Sequence, residues 1–504
     1  MNESFFSIVL NGTPEEVKKA IGAGANVNER TSDGSTPLIA AAGYNQNPEV
    51  ITALVKAGAN VNDRNSFGGT PLMCAAMNNQ NPEVITALIK AGATVNERDS
   101  TGWTPSIYAA RENQNPDAVT MLIKAGTNIN DRDINGLTLL MHAASKNQNS
   151  KVITALIKLG ANINERDSDG LTPLMFAASN NQNPEVVVAL IQAGSNVNGR
   201  ASEGLTPLMD AASNNQNPEV ITTLIKAGAN IDDRDSDGRT SLMFAASNNQ
   251  NPEVITTLIK AGANIDDRDS DGSTPLMDAA YKNQNPEVIT ALIKAGATVN
   301  ERDSTGWTPL IFAARKNQNP EVITALIKAG ANINDQDSIG GTPLMYAASF
   351  NQNPEVVTIL LRAGANIDER NSLGWTPLML AASFNQNPEV ITALLKAGTN
   401  IDDRDSDGST PLMDAAYKNQ NPEVITALIK AGATVNDRTT DGRTSLMLAA
   451  LNNQNPEVIN ILLKSGANGK LKDDEGKTAF DYAKDNENIK GTTAYWELND
   501  ARYK

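Results

Sequence analysis

The sequence predicts an all-helical solenoid built from one short unit repeated along nearly its whole length. Three observations carry that reading. A glycine recurs every 34 residues from Gly34 through Gly68 and Gly102 to Gly476, and a threonine follows each of them two residues later, from Thr36 to Thr478. In most units two prolines stand 11 residues apart, as Pro173 and Pro184 do, so neither intervening helix can be long. The 504 residues would otherwise suggest several globular domains. A fixed period overrides that prior, because stacked units share a core that has no upper size.

The unit at 167–200 shows how each element arises. Asp169-Gly170 is a turn pair, with the glycine free to take positive φ. Thr172 is placed to cap a helix whose first residue is Pro173. Leu174, Met175, Ala177 and Ala178 give that helix a small apolar face. Asn183 and Pro184 open a second helix, and Glu185 suits its positive end. Val186, Val187, Leu190 and Ile191 keep helical spacing until Gly194 terminates it. Val197 anchors an extended return to the next turn. Tetratricopeptide units share the period of 34, but they need longer helices and have no place for the glycine turn or the extended return.

The runs Gly34-Ser-Thr-Pro-Leu, Gly170-Leu-Thr-Pro-Leu and Gly374-Trp-Thr-Pro-Leu, with their Ala-Gly-Ala-Asn-Ile-Asn tails, resemble the ankyrin repeat. The resemblance spans almost the entire chain. It implies short β-hairpin fingers, L-shaped helix pairs and a curved superhelix. The expected organisation is an amino-terminal cap at 1–30, thirteen full units over 31–472 and a carboxy-terminal cap at 473–504. Phe5 and Phe6 are expected to close one apolar end, and Phe480, Tyr482, Tyr495 and Trp496 the other. Two features depart from the family pattern. An Asn-Gln-Asn insert lengthens the usual 33-residue period by one, and methionine mostly replaces the histidine that follows Thr-Pro-Leu.

Stacking turns each fixed position into a ladder. The methionine ladder, Met73 to Met447, lies on the apolar helix face and reads as core. The Asn-Gln-Asn ladder, Asn45 to Asn455, reads as structural, with repeated amides bonding their neighbours and the second asparagine capping a helix. Arginines such as Arg64, Arg98 and Arg132 stand beside Asp63, Asp99 and Asp133, and read as solvated charge pairs worth about 0–1 kcal/mol each.

Other positions vary while this frame stays fixed: the finger tip, the residue after the turn glycine, and one side of the first helix. In the ankyrin family such positions line the groove where partners dock, so the resemblance makes them candidate partner-binding residues. Large apolar groups gather there at Ile339, Tyr346, Phe350, Leu373, Trp375, Leu380 and Phe384. Clustered exposed aromatics mark interaction surfaces. Trp103 with Tyr108 and Arg111, and Trp307 with Phe312 and Arg315, repeat the theme, and Asp210, Asp278 and Asp414 add acidic spots.

The formal net charge is −16, and no basic stripe interrupts it, which argues against a nucleic-acid partner. The single cysteine, Cys74, leaves the fold independent of disulfides. The residues up to Leu10 lack a basic flank for a signal peptide, and no apolar run reaches membrane-spanning length, so a cytoplasmic protein without membrane contact is expected, secretion by a signal-less route remaining open. His142 is the only histidine, and no phosphate loop, zinc motif or catalytic signature is present. Asp267–Asp278 and Asp403–Asp414 mimic the front of a calcium loop but close on aspartate, and the glycine turn is already accounted for by the repeat. No cofactor, metal or catalytic residue is expected. The sequence therefore points to a monomeric, non-catalytic scaffold that binds a protein partner. The alternatives are a rigid spacer with no hot spot and, from a likeness to bacterial ankyrin proteins, an effector that binds a host protein.

Overall fold

A computed structural model describes residues 5–503. The first four residues of the expected amino-terminal cap, and Lys504, lie outside them. The chain divides into two compact units. One runs to Ala245 and takes in Thr257–Ala263; the other comprises Ala246–Thr256 and the residues from Asn264 onward.

Within each unit the same helix pair recurs. In the first unit Pro173–Asn180 is followed by Pro184–Gln192, and in the second Pro343–Phe350 is followed by Pro354–Arg362. First helices pack on first helices and second on second. In the 167–200 unit both expected helix caps are formed. Thr172 accepts from the amide of Met175, and Asn183 from that of Glu185. Gly194 leaves the second helix at a φ of 100°. Leu174, Met175, Ala177 and Ala178 are buried, as are Val186, Val187 and Leu190. The methionine ladder is thus core. It also covers part of the polar role left by the missing histidine, since the amide of Thr172 lies 3.5 Å from the Met175 Sδ.

The asparagines tie neighbouring repeats together. Asn181 is fully buried. Its Nδ2 donates to the carbonyls of Ala144 (3.0 Å) and Asn147 (2.8 Å) in the preceding repeat, and its Oδ1 accepts from the amide of Asn183 (2.9 Å). Asn183 Nδ2 in turn donates to the Gln148 carbonyl at 2.7 Å. Asn351 makes the corresponding three bonds in the second unit.

No strand forms among the described residues. The fingers are tight turns, and the one isolated antiparallel bridge joins Arg132 to Thr138. Asp99 explains why. Its amide bonds the Trp103 carbonyl, and its Oδ1 accepts from the amides of Thr101 (2.8 Å) and Trp103 (2.9 Å). The helix cap follows at once, at Thr104, and even where the bridge reaches the equivalent cap, Thr138, it does not extend into a ladder. Neighbouring fingers do bond, as Ser100 does to the Phe67 carbonyl through its amide (3.2 Å) and its hydroxyl (2.7 Å). That approach needs the turn glycine twice over. Gly68 has φ of 80°, and a Cβ there would sit 2.9 Å from the Ser100 nitrogen. Where Ala201 replaces the finger-base acid, the turn tightens into the 3-10 segment Ser202–Gly204. Glu203 then takes φ of 60°, the only positive φ outside glycine among the described residues.

The arginine ladder differs from its sequence reading. Arg98 pairs not with the adjacent Asp99 but with Asp131 of the next repeat, at 2.9 Å, and Arg132 pairs with Glu165. Asp99 and Asp133 are occupied by their own turns. Each guanidinium also grips backbone: Arg30 Nη1 donates to the carbonyls of Gly34 (2.8 Å) and Arg64 (3.0 Å). The ladder therefore locks finger to finger, a role that exposed charge pairing alone would not give it. At the carboxy-terminal end Phe480 and Tyr482 are buried and Tyr495 packs on Phe480, whereas Trp496 remains exposed.

Candidate protein-binding surface

Variable side chains reach the surface from four registers of the repeat: the finger tip, the residue after the turn glycine, the fourth residue of the first helix, and the end of that helix. The fourth residue of the helix faces its own finger. Tyr108 donates to Asp99 Oδ2 at 2.6 Å, and Tyr346 to Asp337 Oδ2 at 2.5 Å. His142 Nε2 lies 3.0 Å from Asp133 Oδ2, and Tyr482 bonds Asp473 in the same way. Burial, and then the bond to the acid, pushes the Tyr108 and Tyr346 hydroxyls above the ordinary tyrosine value. Burial holds the His142 ring below the ordinary histidine value, although Asp133 pulls the other way. These four side chains brace the fingers.

In the second unit the aromatic residues join into one strip. Trp307 packs on Phe312 (5.1 Å between ring centres) and on Tyr346 of the next repeat (4.7 Å), and Tyr281 of the preceding repeat meets Phe312 at 5.8 Å. Tyr346 continues to Phe350 at 6.4 Å, Phe350 stacks on Phe384 at 6.3 Å, and Phe384 meets Trp375 at 6.0 Å. Cations lie over the rings. The Arg315 guanidinium sits 5.1 Å from both Trp307 and Phe350, and the Lys418 ammonium 4.6 Å from Trp375 and 4.9 Å from Phe384. Edge and stacked pairs of this kind contribute about 0.5–1.5 kcal/mol beyond the area they bury, so the rings hold one another in place before any partner arrives. Phe350 and Phe384 are still 46% and 40% exposed.

The sequence-derived candidates fall into three groups. Trp307, Phe312, Arg315, Tyr346, Phe350, Trp375 and Phe384 come together in the strip, which merges two clusters that the sequence kept apart. Ile339 and Leu373 stand exposed on adjacent finger tips, linked through the Ser372 amide and the Ile339 carbonyl (3.0 Å), and Leu380 is half-buried on its helix. Trp103, Tyr108 and Arg111 form a separate cluster in the first unit: Trp103 meets Tyr108 at 5.3 Å, and Arg111 lies 4.7 Å above it. His142 completes that cluster, edge-on to Trp103 at 5.2 Å. Sequence reasoning missed Tyr281, Lys418 and His142 as neighbours of these rings. Following the last residues of the first helix through successive units, from Tyr281 and Arg315 to Phe350, Phe384 and Lys418, would have found the first two.

No group of three or more histidines, cysteines or acids among the described residues is placed to hold a metal ion. In the two calcium-like runs, Asp269 and Asp405 each spend Oδ1 on the amides of their own turn. No described helix is long and apolar enough to cross a membrane.

Comparison with known proteins agrees with the repeat geometry. The family model for ankyrin repeats (three copies) matches in overlapping spans from residues 5–99 to 412–492, together covering 5–492. No curated protein matches the chain. Among solved structures, the human ASB11 ankyrin repeat domain aligns at 26% identity over 46% of this chain and 99% of its own, with a TM-score of 0.41. Glycine turn, capped helix pair and a 34-residue step, matched by the family model over almost every residue, make this chain a member of the ankyrin-repeat family.

Proposed function

We propose that the chain is a non-catalytic scaffold that holds a protein partner on the ring strip of its second unit. The observation that carries this is the strip itself. Seven rings from four successive repeats touch in sequence while Phe350 and Phe384 stay substantially exposed. Exposed aromatics with interleaved cations have the composition of binding hot spots. Ile339 and Leu373 on the adjacent finger tips extend the apolar surface. The Trp103–Tyr108–Arg111 cluster is a second, smaller contact in the first unit. The acidic surface suits a partner with positive charge.

The test is an affinity capture from native extract with the wild type beside a Phe350→Ser/Phe384→Ser variant of equal helicity. Tyr346 and Trp307 stay intact, because they bond Asp337 and support the fold. A partner that is kept by the wild type, lost by the variant and bound as a purified protein with the same difference supports the reading. A partner bound equally by both moves the site away from the strip. If neither binds any partner specifically, the rigid-spacer reading takes precedence, a reading favoured by the uniformity of the asparagine and arginine ladders.

A further inference from the structure

The strip ends at a recess in the second unit whose chemistry differs from that of the rings. The recess has a volume of about 370 Å³, and Trp375, the last ring of the strip, forms part of its wall. Tyr417, Leu448 and Leu451 supply further apolar lining, while Asp405, Asp407, Asp414 and Asp441 supply carboxylates.

A hydrogen-bond donor is missing at this place. In four other fingers the base carboxylate meets a tyrosine or histidine nine residues on: Tyr108, His142, Tyr346 or Tyr482. Opposite Asp405 that position is Asp414, whose carboxyl makes no hydrogen bond to it among the described residues. Asp405 Oδ1 accepts from the amides of Asp407 (3.0 Å) and Ser409 (2.8 Å), and its Oδ2 receives no hydrogen bond among the described residues. Asp414 Oδ2 is buried without a partner. Two cations, Arg443 and Lys418, also line the recess, and each is engaged by other groups. Arg443 is held by Asp441 (3.1 Å) and the Tyr482 hydroxyl (3.1 Å), and the Lys418 ammonium lies over Trp375 and Phe384. Burial first, then the facing Asp405, with Lys418 opposing and Asp407 adding, pushes the Asp414 carboxyl up to about 8. One buried carboxyl oxygen without a partner, a solvent-reached carboxylate oxygen facing it, apolar walls and room for a side chain describe a site for a group with an aliphatic stem and a cationic donor head, whose charge would favour the ionised form of Asp414.

We propose that this recess takes a lysine or arginine side chain of the partner protein whose neighbouring apolar residues lie along the ring strip. The proposal rests on the strip being the docking surface and names the chemistry at its end. A net charge of −16 favours a basic partner over an acidic one. The absence of any metal-ready cluster among the described residues favours an organic cation over a metal ion.

The test uses random peptides displayed on phage, selected against the full chain and against Asp405→Asn/Asp414→Leu. The chain's own repeats show that both replacements fit. Asn65 and Asn371 already close their fingers from the same position as Asp405, and Leu380 and Leu448 already stand where Asp414 does. The wild type should select peptides that place a lysine or arginine beside apolar residues. Changing that residue to norleucine in a synthetic peptide should weaken binding to the wild type about tenfold or more and leave binding to the variant unchanged. A wild-type consensus without a basic residue, or equal loss on both proteins, overturns the recess; if Phe350→Ser/Phe384→Ser still abolishes binding, the strip survives. No peptide retained by the wild type overturns both.

Discussion

Replacing Asp210 with asparagine isolates the effect of one buried carboxyl on the stability of the first unit. Asp210 is on the helix Pro207–Asn214, and its Oδ2 is buried with no hydrogen-bond partner. The finger base opposite is Ala201, which offers neither acceptor nor donor. Burial alone pushes the carboxyl from its ordinary 3.8 up to about 7. The folded chain therefore holds this proton more tightly than the unfolded chain does. The stabilisation that follows is complete below about pH 4 and is lost as pH rises through about 7. Ionising the buried group costs on the order of 2–4 kcal/mol once both states are deprotonated. Asp210→Asn removes that titration and leaves the remaining carboxylates common to both proteins. Urea denaturation followed by helical circular dichroism, repeated from pH 4 to pH 9, should show the variant gaining on the wild type between pH 4 and 7 and levelling off above about pH 8. A difference that stays constant within about 0.5 kcal/mol over the whole range refutes the burial argument.

Two further outcomes follow from the geometry. Asn351→Ala removes donors to the Ala314 and Asn317 carbonyls and the acceptor for the Asn353 amide, three bonds at a fully buried position. A loss of about 3 kcal/mol is expected, with faster amide exchange at Asn353, and a loss below about 1 kcal/mol would show that the ladder is dispensable there. The Cys74 thiol is pushed up to about 11 by burial and by Asp33. Its alkylation by iodoacetamide at pH 8 should be about 100-fold slower in the folded chain than in urea, and equal rates would mean that the thiol is open to solvent.

The parts of this fold that were legible in the sequence are those whose physics is local. Thr172, Pro173, Asn183, Pro184 and Gly194 act within one turn of where they stand, so their residue types alone disclose caps and stops. Partners in other repeats were not legible. Arg98 has Asp99 beside it in sequence, yet its ion pair is Asp131, because Asp99 is consumed by its own turn. The asparagine ladder read correctly as structural, but its reach to carbonyls of the preceding repeat depends on how closely the helices stack. The ring strip was legible as composition and illegible as connectivity. Trp307 and Tyr346 are 39 residues apart and occupy different registers of the repeat, and only the packing of neighbouring first helices brings their rings to 4.7 Å.

The frame and the candidate surface draw on different residues, and that division explains how a nearly invariant repeat can carry a specific site. Threonine and proline fix where helices begin, asparagine and arginine tie one repeat's backbone to the next, and leucine, methionine and alanine fill the space between helices. The threonine, asparagine and arginine side chains among them serve backbone partners that each repeat offers in the same place, so most replacements leave a carbonyl or amide unpaired. The positions after the turn glycine and at the end of the first helix have no backbone partner common to every repeat, although an asparagine such as Asn180 or Asn452 can bond a carbonyl there. Trp307, Arg315, Phe350, Phe384 and Lys418 stand at such positions and contact one another across repeats, Trp307 alone of the five also bonding a finger-base acid, Asp337. The two kinds of position meet at the fourth residue of the first helix. There a tyrosine or histidine braces the finger, whereas aspartate leaves acceptors unmatched, at Asp414 beside the strip and at Asp210 away from it. A brace that can be exchanged for an unsatisfied acid lets a single substitution turn a structural position into one with an open polar group, with a local loss of stability that stacking against the neighbouring repeats can absorb.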